Sequence, residues 1–472
     1  MKKHPKVTRS LLATSAIVIA FSSTAQAADY VLRASDGSNA SSFTTPYTGT
    51  PGGWATIVGG TDVGAPSVGN NYTVTTGVLR TPDGDSTDYT FAGDSLTLNG
   101  AGANLYLLGV SGATYTINDF ILKEGHILNA RGVTTLAGSI TLDGTVDIEN
   151  GSAGDLTIDS SISGSGTINF VASTKKIIVS NLNNSSINVD YSSTGGYLSF
   201  TNDTTIGSLS SSTSSGRISF DGSDLQRTLT VNQTTDVTVA TQMVGGYLVL
   251  GSGSTAALTL TGSNNVVRQA TTIEGGTLVV GDGSTGVISG AVAVNTGTLS
   301  GSLASGNNFS GSVVIGDGSG TADAILTAGT TDDLTGRLAI AGNLNLGSDS
   351  ELVFDLLTSA GVLDSDLVVV GSGSGTTTIT GSASLLFVAS GDNSGLTVGQ
   401  IFTVIDGGTI NGYFSNLADG GTISSNGVTM LAAYSGGDLT LEVTAIPEPS
   451  AYAMALALAV CGLVIVRRRK AS

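Results

Sequence analysis

Gly245-Gly246-Tyr247-Leu248-Val249-Leu250-Gly251-Ser252-Gly253-Ser254-Thr255 returns as Gly275-Gly276-Thr277-Leu278-Val279-Val280-Gly281-Asp282-Gly283-Ser284-Thr285. Degenerate copies follow at Gly311 to Thr321 and at Asp366 to Thr376, where Val313 and Val368 stand in the place of Leu248 and Leu278. The interval widens from each copy to the next. Each copy is a short aliphatic strand followed by a Gly-rich turn. One strand and one turn recurring at variable spacing predict a solenoid, in which inserted loops change coil length while the inward face keeps an aliphatic ladder.

The same alternation runs outward from the repeat. Ser95-Leu96-Thr97-Leu98, Ser139-Ile140-Thr141-Leu142, Thr145-Val146-Asp147-Ile148 and Ala257-Leu258-Thr259-Leu260 each alternate and are bounded by Gly, Asn, Asp or Ser. No proline occurs between Pro82 and Pro447, as expected where paired strands exclude a residue without an N–H. Disorder would account for the Gly and Ser, but not for aliphatic residues at every second position. A parallel solenoid is therefore expected over at least residues 96–440. Inward-facing aliphatic side chains, Val279 among them, would stack about 4.8 Å apart. Coils of about 20–25 residues would number roughly 16–20, making a rod about 80–100 Å long.

Residues 28–95 read differently. They hold Trp54, Tyr47, Tyr72 and the prolines Pro46, Pro51, Pro66 and Pro82, and are expected to form an N-terminal cap over the open edge of the first coil. The solenoid proper is expected over residues 96–446. Asn264-Asn265 and Asn307-Asn308 are explained by the tolerance of Asn for turn geometry, with turn ladders as the alternative.

These segments, especially Glu274 to Leu299, resemble the passenger-associated β-strand repeat of autotransporter proteins. The stretch from Ser350 through Ile405 to Phe414 resembles the closing coils of such passengers. The resemblance implies an all-β, right-handed parallel β-helix. The sequence departs from that family in having no C-terminal outer-membrane barrel, so export is expected to rely on other signals.

Both ends carry such signals. Lys2, Lys3, Lys6 and Arg9 precede an apolar run from Leu11 to Phe21, and Ala25-Gln26-Ala27 has the small residues of a signal-peptide cleavage site. Residues 1–27 are thus expected to be removed, leaving Ala28 first. At the other end, Pro447-Glu448-Pro449 forms an extended linker, and an uncharged run from Ala451 to Val466 is close to the ~20 residues of a membrane-spanning helix. Arg467, Arg468, Arg469 and Lys470 would hold its end in the cytoplasm.

That order, over residues 447–472, resembles the PEP-CTERM sorting signal of exported Gram-negative proteins. The resemblance implies that Pro447, Glu448 and Pro449 are recognised by a membrane transpeptidase-like exosortase, and that the basic cluster retains the tail in the inner membrane until cleavage. The released body would pass to the cell surface, the outer envelope or an extracellular polysaccharide matrix. An uncut membrane anchor is the alternative, though an anchor has no need for Pro-Glu-Pro.

Between Ala28 and Ile446 lie 35 acidic and 10 basic residues, a net charge of −25. No basic face of the kind that displaces counterions from nucleic acid is expected, so nucleic acid is excluded as a partner. The excess negative charge is read chiefly as solubility for a glycine-rich rod. It disfavours anionic membranes and anionic polysaccharide while leaving a neutral glycan or bridging divalent cations open. The single cysteine, Cys461, falls in the apolar tail and reads as a small filler there.

Catalytic signals are thin. His126 is the only histidine beyond the leader and reads as a turn or surface residue. Asp83, Asp85 and Asp88 form a close acidic group near Arg80, with calcium binding as a lesser alternative to a turn. Gly281-Asp282-Gly283 and Gly316-Asp317-Gly318 lack the tandem spacing of calcium-binding repeats and suit tight bends. No catalytic residue, metal or cofactor is expected. A structural or adhesive surface protein is the leading reading, and a β-helical polysaccharide-active enzyme is the alternative.

Overall fold

The computed structural model describes residues 27–37, 41–44, 53–84, 86–151, 154–220, 227–263, 265–329, 335–359, 362–393 and 395–446. Within them the chain is all β, a parallel β-helix of about 12 turns with no α-helix. Alternation is the cause. Strand after strand buries every second side chain, as in Leu156–Ala172 and Tyr197–Phe200.

Three ladders of parallel strands form the walls. On the first, Leu229, Leu248, Thr271, Val292, Val313, Leu344, Thr377 and Ile410 are successive register partners. The second runs through Leu258, Leu278, Leu299, Leu326, Leu352 and Leu385. The third holds Leu156, Ile177, Leu198, Ile218 and Met243, and later Ile288, Phe309, Ile340 and Val370. Apart from the buried hydroxyls of Thr271 and Thr377, these side chains form or pack against one continuous core.

The four copies of the repeat do not form one stack. Leu248 and Val313 lie on the first ladder, Leu278 on the second and Val368 on the third. One coil near the repeat runs from Leu278 to its partner Leu299. The step from Leu248 to Leu278 is longer than that, and it advances one coil and one wall. What recurs is the strand–turn unit, because all three walls need the same alternation.

Coils lengthen toward the C-terminus. Leu344 pairs with Thr377 and Thr377 in turn stands over Ile410, each a wider interval than Leu278 to Leu299. About 12 turns are found in place of the roughly 16–20 expected, and the parallel winding also stops short of the expected end. An antiparallel hairpin, Ser350–Ser359 with Val362–Ser365, is inserted in this region.

The parallel winding expected to residue 440 ends at Thr409–Asn411. Thr422–Ser425, Val428–Ser435 and Asp438–Ala445 are antiparallel, and the last of them pairs with Ile401–Asp406. Two-residue turns cause the reversal. Asn426-Gly427 and Gly436-Gly437 all have positive φ, the geometry of the tight hairpin turns that suit strand twist. Asn-Gly between alternating segments was the available sequence signal.

Pairing is continuous across residue 95: Tyr30, Tyr72, Leu96 and Phe120 are successive partners. Trp54, Tyr72 and Phe91 pack edge to face, with Trp54 and Tyr72 ring centroids 4.9 Å apart, and Trp54 Nε1 donates to Ser42 O at 2.9 Å.

Val279 does not face the core. Leu278 and Val280 do, and the pleat turns Val279 to the other side, in register with Thr259 and Ser300. It is nonetheless only 1% exposed. The Ser300 hydroxyl donates to Gly329 O, and Gly301 bridges Gly329, so the chain near Gly329 runs beside that outer face.

Asn265 and Asn308 are fully buried and have no positive φ, so turn tolerance is not their role. Asn265 Oδ1 accepts Met243 N and its Nδ2 donates to Gly262 O. Asn308 Oδ1 accepts Ala339 N while Nδ2 donates to Val280 O. Each ties one coil to the next and supplies partners that buried backbone groups require. A direct Asn–Asn ladder occurs elsewhere, Asn129 Nδ2 donating to Asn150 Oδ1 at 3.1 Å.

Candidate binding surface

On the solvent side of the second wall, parallel pairing at constant register stacks side chains of like chemistry. Asn104, His126, Asp147, Asn169, Asp190 and Ser210 are successive partners on six coils. Beside them run Glu124, Thr145, Thr167, Asn188 and Ser208. Neighbours hold one another in place: Asn169 Nδ2 donates to Asp147 Oδ1 and the Ser210 hydroxyl to Asp190 Oδ1, both at 2.7 Å. His126 Nε2 lies 3.1 Å from Glu149 Oε2. The result is a straight array of hydroxyl, amide and carboxylate groups at the strand spacing of about 4.8 Å. His126 is thus a strand residue within this array, not a turn residue.

The described acidic groups noted in the sequence are engaged by neighbouring coils or by their own turns. Asp83 Oδ1 pairs with Arg131 NH1 at 3.0 Å, and Asp88 Oδ1 accepts Thr114 N; Asp85 lies outside the described residues. Asp282 Oδ1 accepts Ser284 N, Thr285 N and the Ser284 hydroxyl. Burial alone would raise the Asp282 carboxyl, but those donors outweigh it and hold the group below its ordinary value. Asp317 Oδ1 accepts Ser319 N in a similar turn. Among the described residues no three His, Cys, Asp or Glu side chains come together to hold a metal ion.

One buried carboxylate had no signal in the sequence. Asp366 is 2% exposed, with Oδ1 accepting Gly336 N and Oδ2 accepting Asp355 N. Burial, reinforced by the nearby Asp355 charge, pushes its carboxyl up to about 8 against the opposing backbone hydrogen bonds. It pins the inserted hairpin to the wall.

Beside it lies an open groove of about 420 Å³, lined by Ser302, Leu303, Thr335, Arg337 and Asp364. Its charged groups are both engaged: Arg337 NH1 donates to Gly306 O, and the Thr335 hydroxyl donates to Asp364 Oδ2. A second groove, of about 300 Å³, lies between Thr409–Asn411 and the Gly436-Gly437 turn, next to Tyr413 and Tyr434.

The residues singled out for sorting, Pro447, Glu448, Pro449, Arg467, Arg468, Arg469 and Lys470, lie outside the described residues, as does Ala25. Ala27 is half-buried just ahead of the first strand, Ala28–Leu32, where Ala28 N donates to Asn70 Oδ1. Among the described residues no helix is long and apolar enough to cross a membrane, and the apolar run at residues 451–466 is outside them.

Compared with family models, curated proteins and solved structures, the chain matches none.

Proposed function

We propose that this chain is an exported structural or adhesive protein of the cell surface or extracellular matrix, whose side wall is its working part. The observation that carries this reading is the six-coil column from Asn104 to Ser210. A long wall of ordered polar groups suits contact with an extended polymer, where many weak hydrogen bonds add. In this proposal the β-helix is right-handed, residues 28–95 cap its first coil, and residues 1–27 are removed on export. A single helix at residues 451–466 holds the chain in the inner membrane until an exosortase-type enzyme cuts near Pro447-Glu448-Pro449. An extracellular polysaccharide is then the partner, and nucleic acid is not.

Fractionation of cells carrying an epitope-tagged body, with the mature termini read by mass spectrometry, tests the proposal. Ala28 is expected first, with a new C-terminus near residue 447 in the surface or medium fraction. A full-length chain held at the inner membrane would replace sorting by a plain anchor. The second reading, a polysaccharide-active enzyme, is favoured by the groove whose lining includes both an acid, Asp364, and a base, Arg337. Turnover on a polysaccharide panel distinguishes it.

A further inference from the structure

Basic residues are scarce in the body, yet three of them gather on the third wall. Lys176, Tyr197, Arg217 and Gln242 are successive register partners facing outward, with Lys175 next to the first. They are distant in sequence, and coil length alone brings them together. The Arg217 guanidinium lies over the Tyr197 ring at 5.0 Å from its centroid. That contact orients the planar fork.

Among the described residues no carboxylate forms an ion pair with Lys175, Lys176 or Arg217, whereas Lys123 and Arg131 are each paired. Arg217 Nε is buried without a hydrogen-bond partner, so the side chain presents its terminal amines outward. The parallel column beside the strip, Ile178, Ser199, Ser219 and Val244, is uncharged. The turns leading into these strands, Ser173-Thr174, Thr194-Gly195-Gly196 and Ser214-Ser215-Gly216, are uncharged too. One acid, Asp155, sits at the end of the strip and accepts Lys176 N.

We propose that the Lys175–Lys176–Tyr197–Arg217 strip is a binding site for a carboxylated polysaccharide strand, lying along the solenoid axis. This rests on the adhesive reading above and names the chemistry of its partner. The outer edge of the Arg217 guanidinium, its two terminal amines, matches a carboxylate through two parallel hydrogen bonds, and the lysines add point charges two coils away, about 10 Å along the wall. That spacing suits carboxylates on alternating residues of an extended glycan. The net negative charge of the body does not forbid this, because its field is screened beyond about 8 Å at physiological salt. It instead confines polyanion binding to this one strip.

The test is retention of the purified protein on immobilised polygalacturonate, with dextran as the neutral control. Binding should fall at least tenfold in the combined Lys175→Gln, Lys176→Gln, Arg217→Gln variant, and native binding should weaken as sodium chloride is added. Arg217→Lys should keep only part of the affinity, since the charge stays but the fork is lost. Arg268→Gln, a cation elsewhere, should bind as the native protein does. Matching thermal midpoints establish that the variants fold. Native protein that ignores polygalacturonate, a triple variant that binds it undiminished, or single-stranded DNA bound through the same residues in its place each overturns the proposal. Retention on dextran alone would overturn it while leaving the adhesive reading standing.

Discussion

Phe220 fills the space that a side chain on Gly245 would need. The two are register partners on adjacent coils, and a Cβ built on Gly245 would lie 2.1 Å from Phe220 Cδ2. Gly245→Ala should therefore destabilise the protein by about 1–3 kcal/mol through overpacking. Phe220→Leu in the same chain should recover part of that loss, an interaction a double-mutant cycle in urea measures. Gly275, the equivalent residue of the next copy, has Ser254 O as its nearest neighbour at 3.1 Å, so Gly275→Ala should cost less.

Leu278 and Val279 should separate in a matched pair of variants. Leu278 packs in the core, so Leu278→Ala should cost about 2–5 kcal/mol. Val279 is buried between Thr259 and Ser300 on the opposite side. Val279→Thr should be the milder change, about 1 kcal/mol, because hydroxyl groups already occupy that column. Equal losses for Val279→Thr and Leu278→Thr in denaturant melts would place both residues in one environment.

Asp366 predicts a stability that falls with rising pH. Its folded-state value is raised from 3.8 to about 8, so between those limits the folded protein holds a proton that the unfolded chain has released. The contribution is complete below about pH 4, shrinks as pH climbs, and is gone above about pH 8. Thermal midpoints measured across that window should decline in the native protein. Asp366→Asn, which never ionises but keeps an acceptor for Gly336 N, should flatten the decline.

Asn426 and Gly427 both adopt positive φ, 47° and 75°. Replacing the pair by Ala-Ala forces two ordinary residues into the left-handed region at roughly 1–2 kcal/mol each. Amide exchange should quicken in Thr422–Ser425 and Val428–Ser435 first, leaving Leu156–Ala172 protected. Uniform acceleration along the chain would show instead that the terminal hairpins and the solenoid unfold as one unit.

Asn150 is fully buried and joins three coils: its Oδ1 accepts Asn129 Nδ2, and its Nδ2 donates to Lys176 O at 2.8 Å. Asn150→Ala should cost about 1–3 kcal/mol, since the Lys176 and Gly154 carbonyls lose their donor and the buried Asn129 amide loses its acceptor. A neutral result in urea melts would mean that water replaces the amide.

Local chemistry was enough to read the all-β class, the inward aliphatic ladders, the parallel winding of the repeat region and the absence of proline from it. Each of these depends on side-chain alternation and on what a strand tolerates, and both are properties of a few adjacent residues. Wall assignment was not legible. Coil length varies with the turns between strands, as the short step from Leu258 to Leu278 and the long one from Leu344 to Thr377 show. Small differences in turn length therefore decide which residues meet across coils. Only that long-range register puts Leu278 on a different wall from Leu248, sets Phe220 against Gly245, and brings Lys176, Tyr197 and Arg217 into one line. Burial of Asp366 is likewise a product of packing, since an inserted hairpin folds over it. Alternation says that a residue is in a strand; the summed lengths of the turns say what it touches.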